Sequence, residues 1–542
     1  MPPADPRLSP GWPRLAVLVL LAGLGLAALL PVYSDEVVWR LSERAAIDGF
    51  DKLSSDLCGP NTLAVPPWFM LPVRHYSAWF NLRFAAPGWV RASGVGYALV
   101  QVGLWWRLIG QIAGDQARTA RALFFGLAGL GVMPLLLVLS RPEQPLLLCL
   151  TLALLLAGPG WRGGKAQAVE AVALRSLGIV VLGAVALSYH MKAMVLVPAL
   201  ALAIATCGRG RGTLVVRVVA VAALGALAIS AAHYWVARFS CPGDPAMARN
   251  LASQNVSALL AHGRGVLVAV AALFLNTNFD RYVWILAPAV KPMGGWLPAL
   301  AGPWQQLAWQ AGLCLGWGLA SLAGLAAAWR GVRAARAARR LEPDLAMALL
   351  LLALPLGWGM SQTAKNVYDA GFVLPLWTLG LLLALAHAAP RRSALVRGLA
   401  RGLPLAAALS VAGLALVYGP ALWRAQAPRA ALPGQPISVP LRGYGAARAE
   451  ALAVARQCGI DPAQHRAHAL LVDESSYFTF MSGTRPQFHL GVVGVWKGGI
   501  TDPLAYLRSV GSDGAVLACR NLPPALQARA HRLGQTCCLG PL

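Results

Sequence analysis

Leu15-Ala-Val-Leu-Val-Leu-Leu-Ala-Gly-Leu-Gly-Leu-Ala-Ala-Leu-Leu-Pro31 is an unbroken apolar run with no ionisable side chain. A run of this length reads as a helix across a bilayer, because a helix satisfies its own backbone where no water can. Arg7 and Arg14 precede it, and Asp35 and Glu36 follow. Basic residues gather on the cytoplasmic side of spans, so the N-terminus is expected in the cytoplasm. A cleaved signal peptide is the alternative reading. The run is long for one and no small-x-small cleavage site follows it, which favours an anchor.

The same character recurs along the chain. Hydrophobic residues make up 57% of the 542 and charged ones only 12%, about half the charge usual in soluble proteins. Further spans are expected over 89–108, 120–139, 145–157, 172–189, 193–206, 213–236, 307–329, 345–360, 372–387 and 403–418. The fold class is therefore an all-α polytopic membrane protein with about eleven spans. Its large outer loops cover 33–88 and 237–303. Within the second, 265–275 is apolar but too short to cross comfortably, and reads as an interfacial or re-entrant helix.

The charges agree with this order. Cytoplasmic loops and their span ends hold Arg107, Arg118 and Arg121, then Arg162, Lys165 and Arg175, then Arg209, Arg211 and Arg217. Later ones hold Arg330, Arg333, Arg336, Arg339 and Arg340, and Arg391, Arg392, Arg397 and Arg401. The net charge of +25 thus follows from the positive-inside bias and calls for no nucleic-acid partner. The partner it does imply is the lipid bilayer. Abundant Ala, Arg and Gly suggest a GC-rich bacterial genome, hence a bacterial cytoplasmic membrane.

By this parity the membrane module covers 1–420, and 421–542 lies outside the cytoplasm. From about Arg442 the chain turns polar and loses its long apolar runs. Buried strands are expected over 468–473 and 514–518, and helices over 504–510 and 523–533, giving a small C-terminal extracytoplasmic α/β domain. Cysteine usage agrees. Cys58, Cys241, Cys458, Cys519, Cys537 and Cys538 all fall in segments assigned outside, where an oxidising compartment permits disulfides. The spacing leaves their pairing open.

Four polar segments stand at the expected outer ends of spans. Asp35-Glu36 puts two carboxylates at the membrane surface, able to deprotonate an acceptor or to hold a divalent metal. A simple helix cap is the plainer account. Ser140-Arg141-Pro142-Glu143-Gln144-Pro145 offers Arg141 to a phosphate and Glu143 to an acceptor or metal, or an Arg–Glu pair at a helix end. Ser188-Tyr189-His190-Met191-Lys192 sets His190 and a cation against the general charge bias, or lets Lys192 snorkel to headgroups. Lys365-Asn366-Val367-Tyr368 presents a cation, an amide and a phenol at anionic lipid heads, or is an ordinary polar loop. Arg74 and His75 are further candidates.

In order and position these segments resemble the GT-C superfamily of polyprenyl-phosphate-dependent membrane glycosyltransferases. That superfamily includes the protein O-mannosyltransferases and the bacterial aminoarabinose transferases. The resemblance covers about residues 14–390. Asp35-Glu36 is similar to the first-loop acidic motif, Arg141-Pro142-Glu143 to the acidic second loop, and Ser188 to Lys192 with Val195-Leu-Val-Pro198 to a His/Lys segment. Lys365 to Tyr368 with Leu374-Pro375 is similar to the segment that meets the donor phosphate. No Asp-x-Asp occurs in the second loop, so a metal-dependent mechanism of the oligosaccharyltransferase kind is not implied. The tail is similar to no catalytic module.

The resemblance implies transfer of a sugar from a polyprenyl phosphate, such as undecaprenyl phosphate, to an envelope acceptor. Asp35 would be the base and Glu36 its partner. Lys365, Arg141 and Lys192 would handle phosphate, and the sugar carbon would invert by direct displacement. No cofactor beyond a divalent metal is suggested. A multi-pass transporter or flippase is the rival class, but it tends to place ionisable groups near the midplane of its spans. A scaffold or sensor built around the tail is a third.

Overall fold

A computed structural model describes residues 8–30, 32–33, 36, 86–131, 133–162, 168–208, 210–239, 303–361, 370–388, 393–425, 438–439, 444–462, 469–472, 474–480, 485–487, 505, 514–519, 522 and 524–540. Apolar runs become helices almost wherever they occur. They are α1 (Gly11–Ala27), α2 (Pro87–Ala113), α3 (Ala117–Ala128), α4 (Met133–Val138), α5 (Glu143–Arg162) and α6 (Val169–Tyr189). After the 3-10 turn Met191–Leu196 come α7 (Val197–Thr206), α8 (Leu214–Phe239), α9 (Pro303–Ala338), α10 (Pro343–Ser361), α11 (Ala370–Ala388) and α12 (Ala394–Ala425). A two-residue strand, β1 (Val32–Tyr33), follows α1.

Among the described residues four helical segments are long and apolar enough to cross a membrane: Val169–Tyr189, Arg211–Tyr234, Ala311–Ala338 and Ala394–Leu416. Shorter apolar helices pack between them. The long helices carry large apolar side chains on the outside, among them Leu177, Val215, Ile229, Leu322 and Leu409. Such faces are tolerable only against lipid or another apolar surface. Inside, α1 packs on α3, α4 and α12, α2 on α5, α6 on α8, and α11 on α9 and α10.

Three expectations need correction. The single helix over 120–139 is broken into α3 and α4. Gly131 takes left-handed backbone (φ 60°), and its N–H donates to Ser410 Oγ of α12 at 2.9 Å. Pro134, which has no N–H, follows. Second, the arginines Arg330, Arg333 and Arg336 lie within α9, since Ala and Arg both favour helix. That helix stops where Arg339 turns left-handed (φ 50°). Third, the helix expected over 523–533 is only the turn α15 (Pro524–Gln527), because the chain then enters a β-hairpin.

That hairpin belongs to the tail. Its elements before α15 are β2 (Ser438–Val439), α13 (Tyr444–Gln457), β3 (Ala469–Val472), α14 (Glu474–Phe480), β4 (Arg485–Gln487) and β5 (Gly514–Ala518). After α15 come β6 (His531–Leu533) and β7 (Thr536–Leu539). The sheet order is β4-β3-β5-β7-β6, with β3 parallel to β4 and β5 and the hairpin strands antiparallel. Both expected strands are present. Of the helix expected over 504–510 only Ala505 is described, and it is helical.

Cys537 and Cys538 are adjacent on β7, so their side chains point to opposite faces. Cys538 bonds Cys458 on the α13 side, and Cys537 bonds Cys519 on the other. One cystine therefore staples each face of the sheet. Cys58 and Cys241 lie outside the described residues, as do the expected re-entrant segment 265–275 and nearly all of both long loops. The tail does not stand apart from the helices. β2 pairs antiparallel with β1, Val439 opposite Val32 and Ser438 opposite Tyr33.

Candidate functional site

One end of the bundle gathers the end of α1, the start of α2, the end of α4 and the start of α5. Two buried ionic clusters form there. In the first, Glu36 is fully buried and meets Arg91, itself 2% exposed. Arg91 Nη2 donates to Glu36 Oε2 at 2.9 Å and Nη1 to Oε1 at 3.3 Å. The same guanidinium donates from Nε to Leu30 O at 3.0 Å and from Nη1 to Val138 O at 2.9 Å. Ser140 N–H donates to Glu36 Oε1 at 2.6 Å. One arginine thus ties the exit of α1, Glu36 and the end of α4 together, with its planar fork matched to a carboxylate.

The close approach this needs is made at Gly94, one turn along α2. A Cβ there would lie 2.0 Å from Val138 O. Gln144 Nε2 completes the seam, donating to Gly94 O at 2.8 Å and Leu137 O at 2.5 Å.

Three residues beyond Ser140, the second cluster centres on Glu143, which starts α5. Arg141 Nε approaches Glu143 Oε2 at 3.2 Å, and Lys192 Nζ donates to Oε1. Lys192 is buried despite its charge, and its ammonium stands 5.6 Å from the Trp358 ring centre, a cation–π contact. His190 caps the 3-10 turn: its Nδ1 accepts from Lys192 N–H at 3.0 Å, so in the neutral ring the proton sits on Nε2. Two cations, Arg141 and Lys192, meet at one carboxylate.

Of the residues singled out from the sequence, Glu36, Arg141, Glu143, His190 and Lys192 are therefore brought to one place. Asp35, Arg74, His75, Lys365, Asn366 and Tyr368 lie outside the described residues. The helices that bound the last three do reach the site. Trp358 near the end of α10 is beside Lys192, and its ring faces Phe372 of α11 at 6.3 Å. Gly371 sits against Leu136 of α4. No group of three His, Cys, Asp or Glu side chains suited to a metal gathers among the described residues.

Sequence reasoning missed Arg91, the Ser140 N–H and Trp358. Arg91 did leave a signal: it is a charge just inside the span expected over 89–108. A charge in a span is costly unless paired, so it calls for an acid nearby. Trp358 left no such mark. Compared with known proteins, the chain matches no family model and no curated protein.

Proposed function

We propose that the chain is a membrane glycosyltransferase of the GT-C kind, moving a sugar from a polyprenyl phosphate to an envelope acceptor on the extracytoplasmic face. One observation carries the reading: acids and cations from three separate connections meet in buried clusters at one end of an apolar helical bundle. A transporter would call for ionisable groups near the middle of its helices. Here they stand at helix ends.

In this reading Asp35, next to the anchored Glu36, takes the proton of an acceptor hydroxyl or amine. The freed lone pair attacks the anomeric carbon, the bond from that carbon to the phosphate oxygen breaks, and polyprenyl phosphate leaves with inversion. The two cations that meet at Glu143, Arg141 and Lys192, favour the leaving phosphate. Glu143 itself holds Arg141 and Lys192 in place, and Lys365 adds a further cation. Arg74, His75, His190, Asn366 and Tyr368 complete the binding set.

The proposed topology has about eleven spans, a cytoplasmic N-terminus and an extracytoplasmic tail, in a bacterial cytoplasmic membrane. The two tail cystines support that side for the tail, since such bonds persist in oxidising compartments. The test is mass spectrometry of envelope glycans from cells carrying Asp35→Asn. The expected result is loss of one sugar modification with normal membrane levels of the protein. Unchanged glycans in the variant, beside a loss in the deletion strain, would refute the assignment.

A further inference from the structure

We infer that the C-terminal domain is a positioning part of the Glu36 site: the β1–β2 ladder holds the acidic segment against Arg91. The inference extends the proposed function, because it assigns the tail a task within that same site. It rests on where the tail's core ends. Val32 of β1 and Val90 of α2 are fully buried among Ala451, Val454, Phe478 and Phe480 of the tail. The next residue on α2 is Arg91, which grips Glu36. Adjacent residues on one helix turn thus serve the tail's core and the ion pair.

The strand adds a second grip. Tyr33 pairs with Ser438, and Glu36 lies three positions further on, a reach of at most about 11 Å even when fully extended. α14 packs on β2 from the tail side, and the Cys458–Cys538 cystine ties the end of α13 to β7. The chain is therefore held at Tyr33 by the ladder and at Glu36 by Arg91 and Ser140 N–H. A tail joined only through α12 would have no need of strand pairing with residues more than 400 positions earlier. Its task is to fix Glu36 against Arg91.

The experiment is hydrogen exchange by mass spectrometry on the full-length purified protein. Ser438→Pro puts a residue with no backbone N–H and a fixed φ into the two-residue strand. Exchange in the peptides covering 86–94 and 138–144 is expected to speed up about tenfold or more, with β3 and β5 unchanged. A second variant guards against simple misfolding: Val32→Cys with Val439→Cys places two thiols at a paired register position. Under mild oxidation a 32–439 cross-link is expected, and adding this pair to Ser438→Pro should restore slow exchange.

Acceleration confined to tail peptides, or failure of the oxidised pair to cross-link, would overturn the inference. The readout involves neither sugar nor lipid. A negative result here leaves the Asp35→Asn test standing, and unchanged glycans there leave this clamp standing.

Discussion

Arg91→Met is the sharpest single perturbation of the site. The substitution keeps a long flexible side chain but removes every donor. Glu36 would lose both guanidinium contacts, at 2.9 and 3.3 Å, and keep Ser140 N–H at 2.6 Å. Leu30 O and Val138 O would lose their donors as well. Breaking a buried ion pair from one side costs about 3–5 kcal/mol, because the remaining charge stays desolvated. The two carbonyls, each worth about 1–3 kcal/mol if stranded, do not add fully, since the loosened seam relaxes toward solvent. A net loss of about 4 kcal/mol corresponds to roughly a thousandfold shift in the opening equilibrium. Tryptophan fluorescence during denaturant unfolding in detergent would measure it. Glu36→Gln combined with Arg91→Met removes both charges and should return stability to within about 1.5 kcal/mol of the parent, because an uncharged pair has little left to desolvate. A cost under about 1 kcal/mol for Arg91→Met alone, or simple additivity in the double variant, would refute the claim that this pair is buried and coupled.

Gly94→Ala should be damaging where its neighbour is not. The new methyl would sit 2.0 Å from the backbone oxygen of Val138, a group that cannot swing aside, so the upper end of overpacking costs applies, about 3 kcal/mol. Gly96→Ala, with open space around its Cβ, should be neutral or stabilising by up to about 1 kcal/mol, and thermal melting of the two variants separates them. Lys192→Met removes one of the two cations that meet Glu143. Sugar transfer from a polyprenyl-phosphate donor should fall by about a hundredfold or more, read as transfer rate at saturating donor, while Lys192→Arg recovers part of it.

The helices were legible because lipid imposes a simple demand: long apolar runs with charges at their ends. Bounds drifted where the demand ends. Pro303–Ala338 continues past the apolar run expected over 307–329 because an Ala- and Arg-rich stretch is content as a helix in water or in headgroups. The break between α3 and α4 was written in Gly129-Leu-Gly-Val-Met-Pro134. An unbroken hydrophobic signal hid it, since hydropathy averages over backbone conformation. In the tail, β3 and β5 were legible as short, buried apolar runs. The 531–539 hairpin was not, because Leu526 and Leu533 stand at helical spacing while the cystines on β7 reward a strand.

Among the described residues the site was legible as three clusters of charge and opaque as an assembly. Residue type and position at a span end mark Glu36, Arg141, Glu143 and Lys192, but nothing local says which acid takes which cation. Arg141 pairs with Glu143 two residues away, as the plainer reading allowed, and Lys192 reaches the same carboxylate from another connection. Glu36 turns instead to Arg91, a residue counted with the membrane span. The decisive contacts join segments 49 to 407 residues apart, and a ladder of two residues leaves no periodic trace at either end. What the chain does record is the cost of error: a lone arginine at the mouth of a span would be untenable without a buried acid. Arg91 asks for an acidic partner, and Glu36, 55 residues earlier, supplies it.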